Sequence, residues 1–249
     1  MSLVIVGLGP GNEAQRTPEV DAALDGITDV IGYGPYVERL ALPEAVQRHG
    51  SDNRVELDRA RHALTLAENG RRVAVVSGGD AGVFGMASAV FEAVEAGPEQ
   101  WRTLDIRVVP GLSAVLAAAA RIGAPLGGDF CVLSLSDNLK PWDVVLRRLR
   151  LAAEAGFVMA LYNPRSKARP WQLGKALEEL SCVLPGDVPV VFARAVGRAD
   201  ERVLITNLAG ADAEKVDMST LVLIGSVLTR RIVRRGHEDW VYTPRYVPV

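Results

Sequence analysis

Two cysteines in 249 residues, Cys131 and Cys182, are too few for a disulfide framework. Three histidines, His49, His62 and His237, lack compact ligand spacing, so no bound metal is expected. Aromatic residues make up only 6% of the chain. No apolar run approaches the length that spans a bilayer, and the opening Met1-Ser2-Leu3-Val4-Ile5-Val6-Gly7 lacks the basic region and apolar length of a signal peptide. An excess of positive charge is missing too. Thirty acidic against 28 basic residues leave a formal charge of −2, which disfavours a uniformly basic nucleic-acid binder. The expectation is a cytoplasmic protein without membrane or nucleic-acid partners. Its 49% hydrophobic content and its length suffice for one large domain or two modest ones.

Charge is divided unevenly. Residues 1–120 carry 10 basic and 16 acidic side chains, net −6, whereas residues 121–249 carry 18 and 14, net +4. Arginine supplies 24 of the 28 cations, and its planar fork suits carboxylates or phosphates. The second half either faces an anionic ligand or simply presents a solvated arginine-rich surface.

The first half reads as alternating strand and helix. Leu3–Val6 predicts a strand, and Thr17-Pro18-Glu19 predicts a capped helix carrying Val20, Leu24 and Ile27. Strands are expected at Val30-Ile31, Val73–Val76 and Ile106–Val109. Helices are expected over Leu57–Ala67, Val83–Ala96 and Ser113–Arg121. The stretch Ile122–Asp129 is rich in glycine and proline and predicts a linker, 122–129, between an N-terminal domain, 1–121, and a C-terminal domain, 130–249. In the second half, strands are expected at Phe130–Leu135, Phe157–Leu161, Val188–Ala193, Arg202–Thr206 and Thr220–Ile224, with helices at Trp142–Ala153 and Pro170–Leu180. Alternation weakens after residue 190, which predicts antiparallel pairs in a mixed second sheet.

Three glycine motifs end strands. Gly7-Leu8-Gly9-Pro10-Gly11 is not a dinucleotide fingerprint, because Asn12 stands where the last glycine belongs and Pro10 lacks a backbone donor. It is either a ligand loop or a structural tight turn. Ser77-Gly78-Gly79-Asp80-Ala81-Gly82 leaves an apolar strand at the sheet edge where α/β proteins place ligands. Asp80 there either accepts from a ligand or caps the helix expected near Val83. Pro110-Gly111-Leu112-Ser113-Ala114 repeats the arrangement one strand later.

In that order and at those strand ends, the motifs resemble the tetrapyrrole methyltransferase family of cobalamin biosynthesis. The stretches Ile31–Tyr36, Ser77–Ala87, Leu161–Ser166 and Ala193–Arg198 resemble the branch that methylates C17 of a precorrin ring. Ala81 replaces the proline usual after the aspartate, relaxing the turn without removing a ligand group.

The resemblance implies a two-domain α/β tetrapyrrole methylase fold, with a mostly parallel N-terminal sheet, a mixed C-terminal sheet and the cofactor cleft between them. It implies S-adenosyl-L-methionine as methyl donor and S-adenosyl-L-homocysteine as product. Cofactor contacts are expected from Gly9, Gly79, Asp80, Val83, Phe84, Ser113, Ala114, Tyr162, Ala193 and Thr206. Val83, Phe84 and Tyr162 have an alternative as core residues.

The implied acceptor is a carboxylate-rich precorrin, methylated at C17 with ring contraction, in a homodimer. Arg165, Lys167, Arg169, Arg194 and Arg198 are the candidates for its carboxylates, against a reading as solvated turns. Asp80 is the one candidate for proton movement, in competition with its cofactor role. Alternatives are a cobalt-containing substrate, a methyltransferase acting on RNA or protein, and a non-enzymatic tetrapyrrole carrier.

Overall fold

The computed structural model describes residues 2–52 and 55–247. Its internal contacts divide the chain into two units, ending and beginning at Ala114 and Val115.

The first unit contains strands β1 (Ser2–Gly7), β2 (Asp29–Tyr33), β3 (Gln47–Ser51), β4 (Arg72–Ser77) and β5 (Asp105–Val109). Between them run helices α1 (Pro18–Leu24), α2 (Gly34–Glu38), α3 (Glu56–Glu68) and α4 (Met86–Ala96). The sheet order is β3-β2-β4-β1-β5 and every pairing is parallel. Apolar strands covered on both faces explain this arrangement. Leu3, Ile5, Val73 and Val75 pack in one cluster with residues of α3 and α4. Val4, Val6, Ala74 and Val76 turn to the other face with residues of α1 and α2. Thr17 caps α1 as expected, its hydroxyl accepting from the Val20 amide.

Two elements depart from expectation. Helix α4 begins at Met86 rather than Val83, because Phe84 sits at φ 53°, outside the right-handed helical region. The Met86 amide donates to Ser77 Oγ, not to Asp80. Strand β3 carries no apolar period and is not among the strands expected from sequence. It forms because polar side chains pin it. The Arg48 guanidinium donates to the carbonyls of Val37 and Leu40, and His49 pairs with Asp29. Buried Arg59 donates to Ser51 Oγ and to the Asp52 carbonyl.

The second unit takes in most of α5 (Ala114–Ile122), then β6 (Gly123-Ala124), β7 (Phe130–Ser134), α6 (Trp142–Glu154), β8 (Val158–Tyr162) and α7 (Gln172–Ser181). It continues through β9 (Pro189–Arg194), β10 (Arg202–Asn207), β11 (Thr220–Ile224), β12 (Arg230–Ile232) and β13 (Trp240–Tyr242). The main sheet runs β10-β9-β11-β8-β7, with β7 and β8 parallel and the other pairings antiparallel. Leu149 of α6 and Leu173 and Leu180 of α7 share a core with Met159, Leu161, Phe192 and Val222 of the strands.

The glycine- and proline-rich stretch expected as a linker is structured. Gly123 and Ala124 pair with Val241 and Tyr242 of β13, and Thr243 Oγ donates to the Pro125 carbonyl. Residues 115–121, expected in the first domain, fall in the second unit.

Candidate functional site

In the first unit, β1 and β4 are neighbours whose onward helices lie on opposite faces. Such a switch point leaves an opening at the carboxyl ends of the strands. The loops after β1, β4 and β5 meet there. The Gly9 amide donates to the Gly79 carbonyl (3.0 Å) and the Gly79 amide returns a bond to the Gly9 carbonyl (2.8 Å). Asp80 accepts from the Gly82 amide through Oδ1 (2.8 Å) and from the Gly111 amide through Oδ2 (3.0 Å). Gly111 is enforced by this crowding, since a Cβ there would stand 2.3 Å from the carbonyl oxygens of both Gly7 and Gly79.

The open face of this plate is different in character. A Cβ on Gly79 would meet nothing nearer than the Ala114 amide at 3.8 Å, although its φ of +68° favours glycine. Val83 is half-buried, and Phe84 is 54% exposed on a left-handed backbone. An exposed aromatic in a strained turn is a feature concentrated at binding sites. Both residues precede α4, so the alternative that they start a buried helix is set aside. Ser113 is buried and Ala114 half-buried at the head of α5.

In the second unit, β7, β8 and β9 point the same way, so their carboxyl ends share one sheet edge. The Tyr162 hydroxyl, at the end of β8, accepts from the Val115 amide (3.1 Å). Asn163, next in the chain, donates to Ser134 Oγ (2.9 Å) from a left-handed backbone of φ 53°. Ala195 follows β9 at φ 52°. Ala193 pairs with Val203, whereas Thr206 pairs with Val190 at the opposite edge. Three residues of strand separate them, about 10 Å. The structure therefore does not bring Thr206 to Tyr162 and Ala193. Neither Asn163 nor Ser134 is among the candidates read from sequence: Asn163 is marked there only by its place after Tyr162, and Ser134 becomes a neighbour through the pairing of β7 with β8.

The five candidate cations separate by what already holds them. Arg165 donates to Glu214 Oε2 (2.6 Å) and to the Ala213 carbonyl (3.2 Å). Arg169 is paired with Asp137. Arg194 lies between Asp217 (2.9 Å) and Asp200 (2.8 Å). Its hydrogen bonds to these acids raise the Arg194 pKa and hold that of Asp200 low. Burial opposes the same effect at Asp217, but bonds from Arg194 and Thr220 prevail. Arg198 stands 3.9 Å from the already engaged Asp200, and its Nε is buried with no acceptor. Lys167 is exposed.

Strand-end glycine loops on a parallel sheet, followed by a mixed sheet, define a class of protein. Residues 2–212 match the family of Tetrapyrrole (Corrin/Porphyrin) Methylases, and the chain belongs to it. More particularly, it is 58% identical over 245 residues to the precorrin-3B C(17)-methyltransferase of a Sinorhizobium species, covering 98% of this chain and 96% of that protein. It is 39% identical over 230 residues to a probable cobalt-factor III C(17)-methyltransferase of Salmonella typhimurium, covering 91% and 93%. The crystal structure of the methyltransferase CobJ superposes with a TM-score of 0.92 at 52% identity, covering 98% and 99% of the two chains.

Members of this family use S-adenosylmethionine. The first-unit loops fit such a donor. Their three glycine motifs carry one acid, Asp80, no cation, apolar side chains and open backbone, which suits a positively charged sulfonium and a neutral purine better than a triphosphate.

Proposed function

We propose that this chain methylates C17 of precorrin-3B with S-adenosylmethionine, giving precorrin-4 in cobalamin biosynthesis. The observation that carries the reading is 58% identity sustained over 98% of the chain to an enzyme of that name. A cobalt-factor III substrate is the second reading, supported by the Salmonella relative at 39% identity. We further infer a cytoplasmic homodimer without nucleic-acid or membrane partners, supported by the family resemblance and the net charge of −2.

When bound, S-adenosylmethionine supplies an electrophilic methyl group on a cationic sulfur. In the first unit, Gly79, Val83, Phe84, Ser113 and Ala114 are the residues we assign to its binding. The reciprocal Gly9–Gly79 pair stiffens the loop beneath. In the second unit, Tyr162 and the backbone beside Ala193 are the assigned contacts. Thr206 is left out because it lies at the other sheet edge. Methyl transfer needs near-collinear donor, methyl and acceptor, so the main task of these residues is orientation.

For the substrate carboxylates we assign Lys167, which is exposed, and Arg198, whose guanidinium stands 3.9 Å from an Asp200 already paired with Arg194. Arg165, Arg169 and Arg194 instead hold their own loops through Glu214, Asp137, Asp200 and Asp217.

The test is anaerobic mass spectrometry with isotopically labelled S-adenosylmethionine and, separately, precorrin-3B or cobalt-factor III. One labelled methyl at C17 of a ring-contracted, metal-free product is the expected result. Label only in the cobalt substrate transfers the chain to the second reading. S-adenosylhomocysteine binding without label in either would direct the search to other acceptors.

A further inference from the structure

We propose that Asp80 is a positioning residue that locks two strand-end loops together, and that it is not the acid or base of the reaction. The inference rests on reading those loops as the donor site. A carboxylate that moves protons to a substrate needs an oxygen lone pair directed at it, and each backbone amide takes one of the two lone pairs on the oxygen it bonds. Here each oxygen already receives a backbone amide, and the two amides come from different loops. Oδ1 takes Gly82, two residues along its own turn, and Oδ2 takes Gly111, 31 residues away in the loop after β5. Bonds from amides to an ionised carboxylate are among the stronger ones available to a loop.

The surroundings show why this lock is needed. Gly7, Gly79 and Gly111 approach within distances that exclude any Cβ at Gly7 or Gly111, so no side-chain packing can hold the three loops in register. The Gly9–Gly79 pair ties the loop after β1 to the loop after β4. Asp80 supplies the corresponding tie from β4 to β5. The turn between Asp80 and Gly82 also sets the departure of the chain toward Val83 and Phe84. One side chain therefore sets the spacing between the Gly79–Phe84 segment and the Ser113-Ala114 segment.

The experiment compares wild type, Asp80→Asn and Asp80→Ala. S-adenosylhomocysteine affinity is measured by calorimetry, and kcat and both KM values come from methyl transfer to precorrin-3B. Asparagine keeps an oxygen for Gly82 but turns an NH2 toward the Gly111 amide, and alanine removes both ties. The expected order of affinity is Asp, Asn, Ala, with each step weakening binding by roughly tenfold. The donor KM rises in parallel, the precorrin KM holds, and kcat at saturating donor falls by less than about tenfold. Amide exchange at Gly111, followed in wild type and Asp80→Asn, should accelerate in the variant even if Asp80→Ala fails to fold. A kcat at saturating donor that falls about 100-fold or more in Asp80→Asn overturns the proposal. So does unchanged cofactor affinity, or unchanged Gly111 exchange. If wild type itself binds no S-adenosylhomocysteine, the reading of the loops as donor site fails first.

Discussion

At the scale of single residues, what a side chain already bonds to decides what it has left for a ligand. Five basic residues were equivalent candidates in the sequence, since Arg165, Lys167, Arg169, Arg194 and Arg198 all follow strands. The folded chain divides them. Arg194 meets two carboxylates, whereas the buried Nε of Arg198 has no acceptor. A buried donor without a partner carries a desolvation cost of about 1–3 kcal/mol, which a substrate carboxylate would relieve. Arg198→Ala should therefore raise the KM for precorrin-3B about tenfold or more while leaving S-adenosylhomocysteine affinity within about twofold. Steady-state kinetics and calorimetry on the same preparation check this. An unchanged KM returns Arg198 to the solvated loop. Arg194→Ala, by contrast, strips a partner from Asp217 and Asp200, so its principal effect belongs to stability.

At the scale of elements, apolar strands and capped helices were readable, and polar ones were not. Strands β1, β4 and β11 are continuous apolar runs that can be buried on both faces, and nothing but a strand fits their length. Strand β3, Gln47–Ser51, offers no such signal because its partners are polar and distant in sequence. Its anchor is Asp29, 1% exposed, whose carboxylate receives His49 (2.9 Å), Arg71 (2.7 Å) and Thr28 (2.7 Å). Burial pushes the Asp29 pKa up, but these bonds outweigh it and hold the carboxyl below its ordinary value of 3.8. A depressed native pKa stabilises the fold above the unfolded value, and that contribution is lost as pH falls below 3.8 toward the native pKa. Asp29→Asn should lower stability at pH 7 by about 2 kcal/mol, because it replaces the ionised acceptor of Arg71 and Thr28 with a neutral amide. The variant should also lose less stability than wild type between pH 5 and about pH 3. Denaturant titrations at both pH values give the comparison, and parallel curves would remove Asp29 from the acid response.

At the scale of the whole molecule, the two units solve different packing problems. The first buries both faces of a parallel sheet under helices, and the second mixes parallel and antiparallel pairings. Among the described residues, no helix is long and apolar enough to cross a membrane. A ligand that binds only the native chain raises its melting temperature by mass action. At one hundred times its Kd, S-adenosylhomocysteine should add about 2.7 kcal/mol, a rise of about 5–10 °C for a chain of this size. Differential scanning calorimetry with and without the ligand measures it. No shift at saturating concentration would count against the donor site as a whole.

The order of the apolar strands and of the helices other than α2, the three glycine motifs and their succession along the chain were determined by sequence alone. Each follows from local chemistry: apolar period, capping residues, and backbone conformations that glycine adopts at least cost. Tertiary structure decided what those motifs touch. It joined Gly9 to Gly79, gave both Asp80 oxygens to amides two and 31 residues away, and moved Val83 and Phe84 out of α4. It set Thr206 at the opposite sheet edge from Ala193, and made a strand of the Gly123-Ala124 stretch read as linker. The physical reason is common to all of these. Backbone bonds and ion pairs between residues far apart in sequence leave no period or local signature, and become visible only when the strands that carry them are set side by side.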